Sequence, residues 1–286
     1  RFPKPGETLH INQAQKEFGG GKGANQAIAA SRLAADTTFI SKVGKDGNAN
    51  FILEDFKKAG IHTQYILTSE SEETGQAFIT VDEAGQNTIL VYGGANMTLS
   101  ATDVEMSVDA FIGADFVVAQ LEVPFEAIEQ AFKIARKQNI TTVLNPAPAI
   151  ELPKSLLELT DIIIPNETEA ELLTGISINN ESDMKETATY FLDLGISAVL
   201  ITLGEQGTYC AYQEQYKMIP ACNVKAIDTT AAGDTFIGAF LSELNKDLSN
   251  LESAIRLANQ ASSLTVQRKG AQASIPTRKE VEAEYN

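Results

Sequence analysis

Asp228, Thr229, Thr230, Ala231, Ala232, Gly233 and Asp234 place small residues and a carboxylate where a loop turns into a helix. The run that follows, Thr235, Phe236, Ile237, Gly238, Ala239, Phe240, Leu241 and Leu244, carries apolar residues at helical spacing. The free N–H groups of its first turn therefore point at whatever lies above the helix N-terminus. An anion such as a phosphate suits that position, and Ala and Gly let it come close to the backbone. A carboxylate aimed at the same place would repel it. Asp234 has a reason to be there if it takes the proton of an incoming hydroxyl while the amides hold the charge of a transferring phosphoryl group. On this segment alone, an ordinary N-terminal carboxylate on a buried helix is the competing reading.

A second cluster, Phe18, Gly19, Gly20, Gly21, Lys22, Gly23, Ala24, Asn25 and Gln26, opens another helix, with Ala24, Ala27, Ile28, Ser31 and Ala34 at helical spacing. A Walker A loop fails, because Gly23 rather than Ser or Thr follows Lys22 and position 16 is Lys. A dinucleotide fingerprint fits formally at Gly19, Gly21 and Ala24, but it requires a buried strand before it, and residues 11–18 are too polar to form one. What remains is a glycine turn delivering Lys22 and Asn25 to a polar ligand, or a plain glycine-rich turn. Asn166 and Glu169 follow Ile162-Ile163-Ile164-Pro165 at a spacing of three, so both face one way on a helical turn. Alone they read as a capped helix start; an amide and a carboxylate also suit a hard Mg²⁺ that keeps several waters.

Together the glycine cluster and the Asp228–Asp234 segment resemble the ribokinase family within the larger PfkB group of sugar and nucleoside kinases. Residues 20–26 resemble its sugar-side motif and residues 228–234 its phosphate-side motif, in the same order. Gln120-Leu121-Glu122, Asn145-Pro146-Ala147-Pro148-Ala149, Asn166-Glu167-Thr168-Glu169 and the tail at 270–276 match as well, so the resemblance covers essentially the whole chain. The chain opens at Arg1-Phe2-Pro3, which looks like the segment just after the family's first strand; the expectation is an incomplete N-terminus, with one sugar-binding aspartate unassigned.

The resemblance implies ATP-dependent phosphorylation of D-ribose at its 5-hydroxyl. Asp234 would be the base, with the amides of Ala231, Ala232, Gly233 and Asp234 forming the anion hole. Gly21, Lys22, Asn25, Glu122 and Asp234 would meet the ribose. On the nucleotide side it implies Asn166, Glu169, Thr202, Gly204, Gly233 and Asn259, with Mg²⁺ held by Asn166 and Glu169 through water. It also implies an activating monovalent cation, K⁺, at Asp228, Thr230, Thr265, Arg268, Gly270 and Ser274, several of them through backbone carbonyls. Oxygen-only ligation suits such a hard cation.

These residues need a frame. Short apolar runs at 38–43, 116–121, 142–144, 161–164 and 198–203 are separated by amphipathic stretches such as 125–137 and 184–194. They predict an α/β fold: a mostly parallel sheet with helices on both faces, Rossmann-like and three-layered. Residues 250–265 predict a further helix. Ligands of such sheets bind beyond the carboxyl ends of the strands, where Glu122, Asn145, Asn166 and Gly204 fall. Residues 76–81 and 87–92 break the alternation and read as a hairpin around 82–86 with apolar groups on both faces. A hairpin of that kind needs cover. It predicts a small β lid over the sugar whose outer face meets a second subunit. The resemblance implies the same: a discontinuous lid at 1–18 and 74–95, an α/β nucleotide and sugar-binding domain at 19–73 and 96–286, and a homodimer closed through the lid.

Composition sets the outer limits. The chain has 286 residues, 43% of them hydrophobic, enough for a large core. A formal charge of −16 argues against nucleic acid or an anionic membrane as partner, though not against ATP, which arrives with a metal. No apolar run reaches the length of a membrane span, no signal peptide is visible, and Cys210 and Cys222 read as reduced thiols, so the expected compartment is the cytoplasm. His10 and His62 stand apart from any ligand cluster and read as surface or lid residues. Three other readings stand beside the ribose kinase: a PfkB-type kinase for deoxyribose, fructose or a nucleoside, a catalytically silent sugar sensor, and an NAD-dependent dehydrogenase. The intact Asp234 argues against the second and the polar segment before Gly19 against the third.

Overall fold

The computed structural model describes residues 6–8, 19–81 and 87–285. Expectations for residues 9–18, among them His10, and for the hairpin loop at 82–86 lie outside the described residues. The helices are α1 (Lys22–Arg32), α2 (Gly47–Ala59), α3 (Ala101–Met106), α4 (Phe125–Lys137), α5 (Lys154–Leu157), α6 (Glu167–Thr174), α7 (Glu181–Asp193), α8 (Ala232–Glu243), α9 (Leu251–Thr265) and α10 (Arg278–Tyr285). The strands are β1 (Ser41–Val43), β2 (Ile66–Thr68), β3 (Gln76–Val81), β4 (Asn87–Tyr92), β5 (Phe116–Ala119), β6 (Thr141–Leu144), β7 (Ile162–Ile163), β8 (Ala198–Thr202), β9 (Gly207–Tyr212) and β10 (Gln215–Pro220).

The main sheet runs β10-β9-β8-β7-β6-β5. Strands β5 to β8 are parallel, while β9 and β10 form an antiparallel hairpin at one edge. Alternation along the buried strands sends successive side chains to two different cores. Ile162, Ile164, Ala198 and Leu200 meet Phe236, Phe240, Ile255 and Ala258 of α8 and α9. Ile163, Val199 and Ile201 meet Phe132, Leu156, Ala188 and Phe191 of α4, α5 and α7 on the opposite face. This is the three-layer arrangement expected from near-continuous apolar strands, which must be covered on both sides.

The expectation that residues 38–43 join the main sheet needs a correction. Among the described residues, Ser41–Val43 pairs in parallel only with Ile66–Thr68, as a separate two-stranded sheet, and Thr38 makes an isolated bridge to His62. The partner strand is three residues long, too short for periodicity to mark it. The β9–β10 hairpin is likewise absent from the sequence reading. Its turn residues, Gln213 and Glu214, both adopt left-handed conformations with φ of 49° and 63°, geometry that Asn and Gly ordinarily announce.

β3 and β4 pair as an antiparallel hairpin in their own sheet, with Phe78 opposite Leu90 and Ile79 opposite Ile89. Cys210 is buried and Cys222 half-buried, both free; burial pushes the Cys210 thiol up to about 12. His62 is exposed and lies 2.9 Å from Asp36. Among the described residues no helix is long and apolar enough to cross a membrane.

Candidate active site

The two sequence clusters come together because α1 and α8 pack at very close range. A Cβ added at Gly238 would lie 2.4 Å from the Ala29 Cβ and 2.6 Å from the Ala30 nitrogen, so only glycine fits there. That approach brings the first turn of α1 against the first turn of α8. Asn25 Nδ2 donates to Asp234 Oδ2 at 2.9 Å, and Gln26 Nε2 donates to Asp234 Oδ1 at 3.0 Å. Both carboxylate oxygens are thus held by the glycine-cluster helix. Protein surrounding the carboxyl pushes the Asp234 pKa up by desolvation, against the pull of Asn25, Gln26 and Lys22. A carboxyl poised above its ordinary range is better matched to accepting a proton near neutral pH.

The start of α8 has the geometry of an anion site. Ala231 at its N-cap sits in the left-handed region, φ 61° and ψ 10°, which turns the chain sharply into the helix. The Ala232 N–H is directed to the Thr229 carbonyl at 3.2 Å. Among the described residues the N–H groups of Gly233 and Asp234 have no acceptor. Gly233 has open space where a Cβ would stand, so a phosphate can reach the backbone there.

Glu122 follows β5 and accepts the Lys22 N–H at 2.8 Å, placing a carboxylate on the N-terminus of α1. Gly21 precedes it with φ of 89°, a conformation that favours glycine. Burial raises the Glu122 pKa, with Lys22 opposing and Asp234 reinforcing the shift. The Asn25 side chain is only 6% exposed, and its Oδ1 is buried without a hydrogen-bond partner. It is an unused acceptor enclosed beside the clamped carboxylate.

Asn166 and Glu169 form a reciprocal capping box on α6. Asn166 Oδ1 accepts the Glu169 N–H at 2.8 Å, while Glu169 accepts the Asn166 N–H at 2.9 Å and its side-chain amide at 3.0 Å. Glu169 is nonetheless buried, which raises its pKa; Lys22 lowers it and Asp234 raises it further. Thr202 at the end of β8 bridges to Asn166, donating its N–H to the Pro165 carbonyl at 2.9 Å, and Gly204 follows with φ of 54°. These residues share the carboxyl ends of β7 and β8. Asn259 on α9 is committed within the fold, donating to the Ile219 and Pro220 carbonyls and accepting from Thr208.

The proposed cation residues gather in two adjoining loops. Asp228 Oδ1 accepts the Thr230 N–H at 2.9 Å and hydroxyl at 2.6 Å, and Oδ2 accepts the Gly270 N–H at 2.9 Å. Desolvation alone would raise its pKa; the bonds from Thr230 and Gly270 outweigh it and hold the carboxyl below the usual range. The Thr265 hydroxyl lies buried against Thr235, Ser274 bonds the Ala271 carbonyl, and Arg268 pairs with Glu280 at the surface. The carboxylate, hydroxyl and carbonyl oxygens of these loops suit an alkali cation. Among the described residues no group of three or more His, Cys, Asp or Glu side chains could hold a metal unaided.

A groove of about 660 Å³ opens elsewhere, at the amino ends of β6 and β8, between Arg136, Asp161, Ser197 and Lys246. It holds none of the residues above. Those residues gather instead at the carboxyl ends of the strands, where ligands of such sheets ordinarily bind. Three amides in the site, Gln26, Gln120 and Asn145, stand in the matching motifs but have no individual role in the sequence reading. Gln26 also donates to Asn145 Oδ1 at 3.0 Å and accepts from Gln120, contacts that span 119 and 94 residues and leave no local trace.

The family profile for "pfkB family carbohydrate kinase" matches residues 2–278. The chain belongs to that family. Within the pfkB family it is 65% identical to the ribokinase of Staphylococcus aureus (strain COL), over 98% of this chain and 92% of that protein. It is 36% identical to the deoxyribokinase of Salmonella typhi, over 97% of this chain and 90% of that one. Arabidopsis thaliana ribokinase, solved with ribose and ATP, superposes with a TM-score of 0.90 at 33% identity, covering 99% of this chain and 92% of that chain. This member of the family is therefore a carbohydrate kinase on the ribokinase fold.

Proposed function

We propose that the chain transfers the γ-phosphoryl group of ATP to the 5-hydroxyl of D-ribose, giving ribose 5-phosphate and ADP. The observation that carries the reading is the clamped Asp234 carboxylate at the α8 N-terminus, beside the open amides of Gly233 and Asp234. The sugar oxygen attacks the γ-phosphorus, the bond to the β–γ bridging oxygen breaks, and the hydroxyl proton passes to Asp234. Each Asp234 oxygen keeps a lone pair beyond the one used by Asn25 or Gln26. The free amides of Gly233 and Asp234 face the developing charge and Lys22 adds a positive one, while the Ala232 N–H, expected in the anion hole, is directed to the Thr229 carbonyl instead. Gly21, Lys22, Asn25 and Glu122 orient the ribose in this reading.

Asn166, Glu169, Thr202, Gly204, Gly233 and Asn259 form the nucleotide side in this reading. The Asn166 and Glu169 side chains already bond each other, which suits a Mg²⁺ held through water rather than directly. Such an ion, when bound, neutralises phosphate charge. K⁺ would sit between the 228–230 and 265–274 loops. Residues 74–95 act as the lid and close a homodimer in this reading, the companion segment 1–18 lying almost wholly outside the described residues, and two free thiols suit a reducing cytoplasm.

The test is an ADP-release assay over ribose, deoxyribose, fructose and nucleosides, with the product located by phosphorus NMR. The highest kcat/KM is expected for ribose with phosphate on the 5-oxygen. A higher value for deoxyribose, fructose or a nucleoside overturns the substrate assignment, and no sugar-dependent ADP release overturns the reaction.

A further inference from the structure

Gln26 is 2% exposed and sits where four elements meet. Its Nε2 donates to Asp234 Oδ1 and to Asn145 Oδ1, each at 3.0 Å, and its Oε1 accepts from Gln120 Nε2. Asn145 then donates its own Nδ2 to the Ile164 carbonyl at 3.0 Å. Gln120 follows β5, Asn145 follows β6 and Ile164 follows β7. We propose that Gln26 is a positioning residue for phosphoryl transfer, fixing the plane of the Asp234 carboxylate by tying it to the carboxyl ends of three strands. The inference rests on Asp234 being the base.

The direction of every bond in this chain of amides is determined. An ionised carboxylate only accepts, so the Nε2 end of Gln26 must face Asp234. Its two hydrogens are then both used, one on Asp234 and one on Asn145. Its oxygen faces the Gln120 donor, and flipping any one amide would set donor against donor or acceptor against acceptor. Asn25 holds only Oδ2 and by itself leaves the carboxyl free to turn about its Cβ–Cγ bond. The second bond, to Oδ1, removes that freedom. Both N–H donors of Gln26 are engaged inside the protein, so it acts through Asp234 rather than on the sugar. Preorganisation of this kind governs rate, since a misplacement of about 1 Å costs roughly 100-fold.

Two variants separate positioning from packing. Gln26→Met keeps the unbranched length without a donor, and Gln26→Glu keeps the shape while setting a second carboxyl against Asp234. The charged groups acting on Asp234 are Lys22 from α1, Glu122 after β5 and Glu169 from α6, and they stay in place in both variants. Turnover is expected to fall about 10- to 100-fold in Gln26→Met. The KM for ATP should stay within about threefold, because no Gln26 contact reaches the nucleotide residues, and ribose binding measured by calorimetry without nucleotide should be retained. The acid limb of the kcat profile should move to higher pH in both variants, further in Gln26→Glu, where two carboxyls compete for one site.

An unmoved limb with turnover within about twofold overturns the proposal, as does a rate loss matched by an equal loss of ribose binding. Should Gln26→Met fail to fold, the limb of Gln26→Glu decides alone. Asp234→Asn is assayed alongside. If it keeps near-normal turnover, the assignment of the base fails; if it is inactive while the Gln26 variants behave as wild type, only the present inference fails.

Discussion

Gly238 on α8 and Ala29 on α1 are in contact so close that a Cβ at 238 would stand 2.4 Å from that of Ala29. Two of the other nearest atoms belong to the α1 backbone, the Ala30 nitrogen at 2.6 Å and the Gln26 carbonyl oxygen at 2.7 Å, so no rotamer change can make room. The separation of the two helices sets the distance between Asn25, Gln26 and Asp234. Gly238→Ala is therefore expected to push α1 away, lowering stability by about 1–3 kcal/mol. It should also cut turnover about 100-fold, because the carboxylate clamp opens. Thermal melting and kcat, measured on the same preparation, check both; a variant with normal turnover would mean the clamp tolerates the displacement.

Asp234→Asn tests the base directly. Asn can accept from only one of its two amide neighbours, and it cannot take the sugar proton, so turnover should fall about 100- to 10,000-fold. Ribose and ATP binding, read by calorimetry, should survive.

Because burial raises the Asp234 pKa, its basic form is lost at a higher pH than for an ordinary aspartate. The sign follows: activity is full above the raised pKa and falls as pH drops through it, so the acid limb of kcat should lie above the usual aspartate value near 3.9. A limb at or below that value, with the chain still folded, would point to a different titrating group.

How much of this was legible in sequence depends on how local each signal is. α4 (Phe125–Lys137) and the β3–β4 hairpin (Gln76–Val81, Asn87–Tyr92) coincide with the periodicity, since amphipathic spacing and alternation are local properties. The β9–β10 hairpin was not legible, because Gln213 and Glu214 adopt φ > 0 without the residues that usually signal it. In the site, Lys22, Asn25 and Asp234 stand in short motifs and could be picked out. Gln26, Gln120 and Asn145 also stand in matching motifs, but the bonds that link them were not legible, because partners 94 and 119 residues apart meet only once the strands are ordered. Asn166 and Glu169 were legible twice over, as a cap and as a ligand pair; the capping box is formed, and it leaves the ligand role to be measured.

Activation by potassium, which the family resemblance implies, would act where Asp228 bridges Thr230 and Gly270. A cation between these loops would hold residues 228–230, and through them the start of α8, whose free Gly233 and Asp234 amides would face the transferred charge. Rates in potassium chloride and in a large organic cation at equal ionic strength should differ several-fold, mainly in kcat. Asp228→Asn should weaken the effect by loosening the bridge. Equal rates in the two salts would remove the cation from the mechanism.

The last expectation concerns the hairpin. Phe78, Ile79, Ile89 and Leu90 are 56%, 57%, 50% and 67% exposed, an apolar surface of a kind that soluble chains ordinarily cover. The register places Phe78 opposite Leu90 and Ile79 opposite Ile89, so these are two cross-strand pairs on opposite faces. If one face closes over the sugar and the other meets a twin subunit in a C₂ pairing, aspartate substitutions must behave as pairs. Phe78→Asp and Leu90→Asp should share one phenotype and Ile79→Asp and Ile89→Asp the other. One pair should give monomers by light scattering, and the other should raise the ribose KM while the dimer persists. The ATP requirement should change little in all four. Four dimeric variants, or a wild-type chain that is monomeric at micromolar concentration, would rule out an interface through the lid.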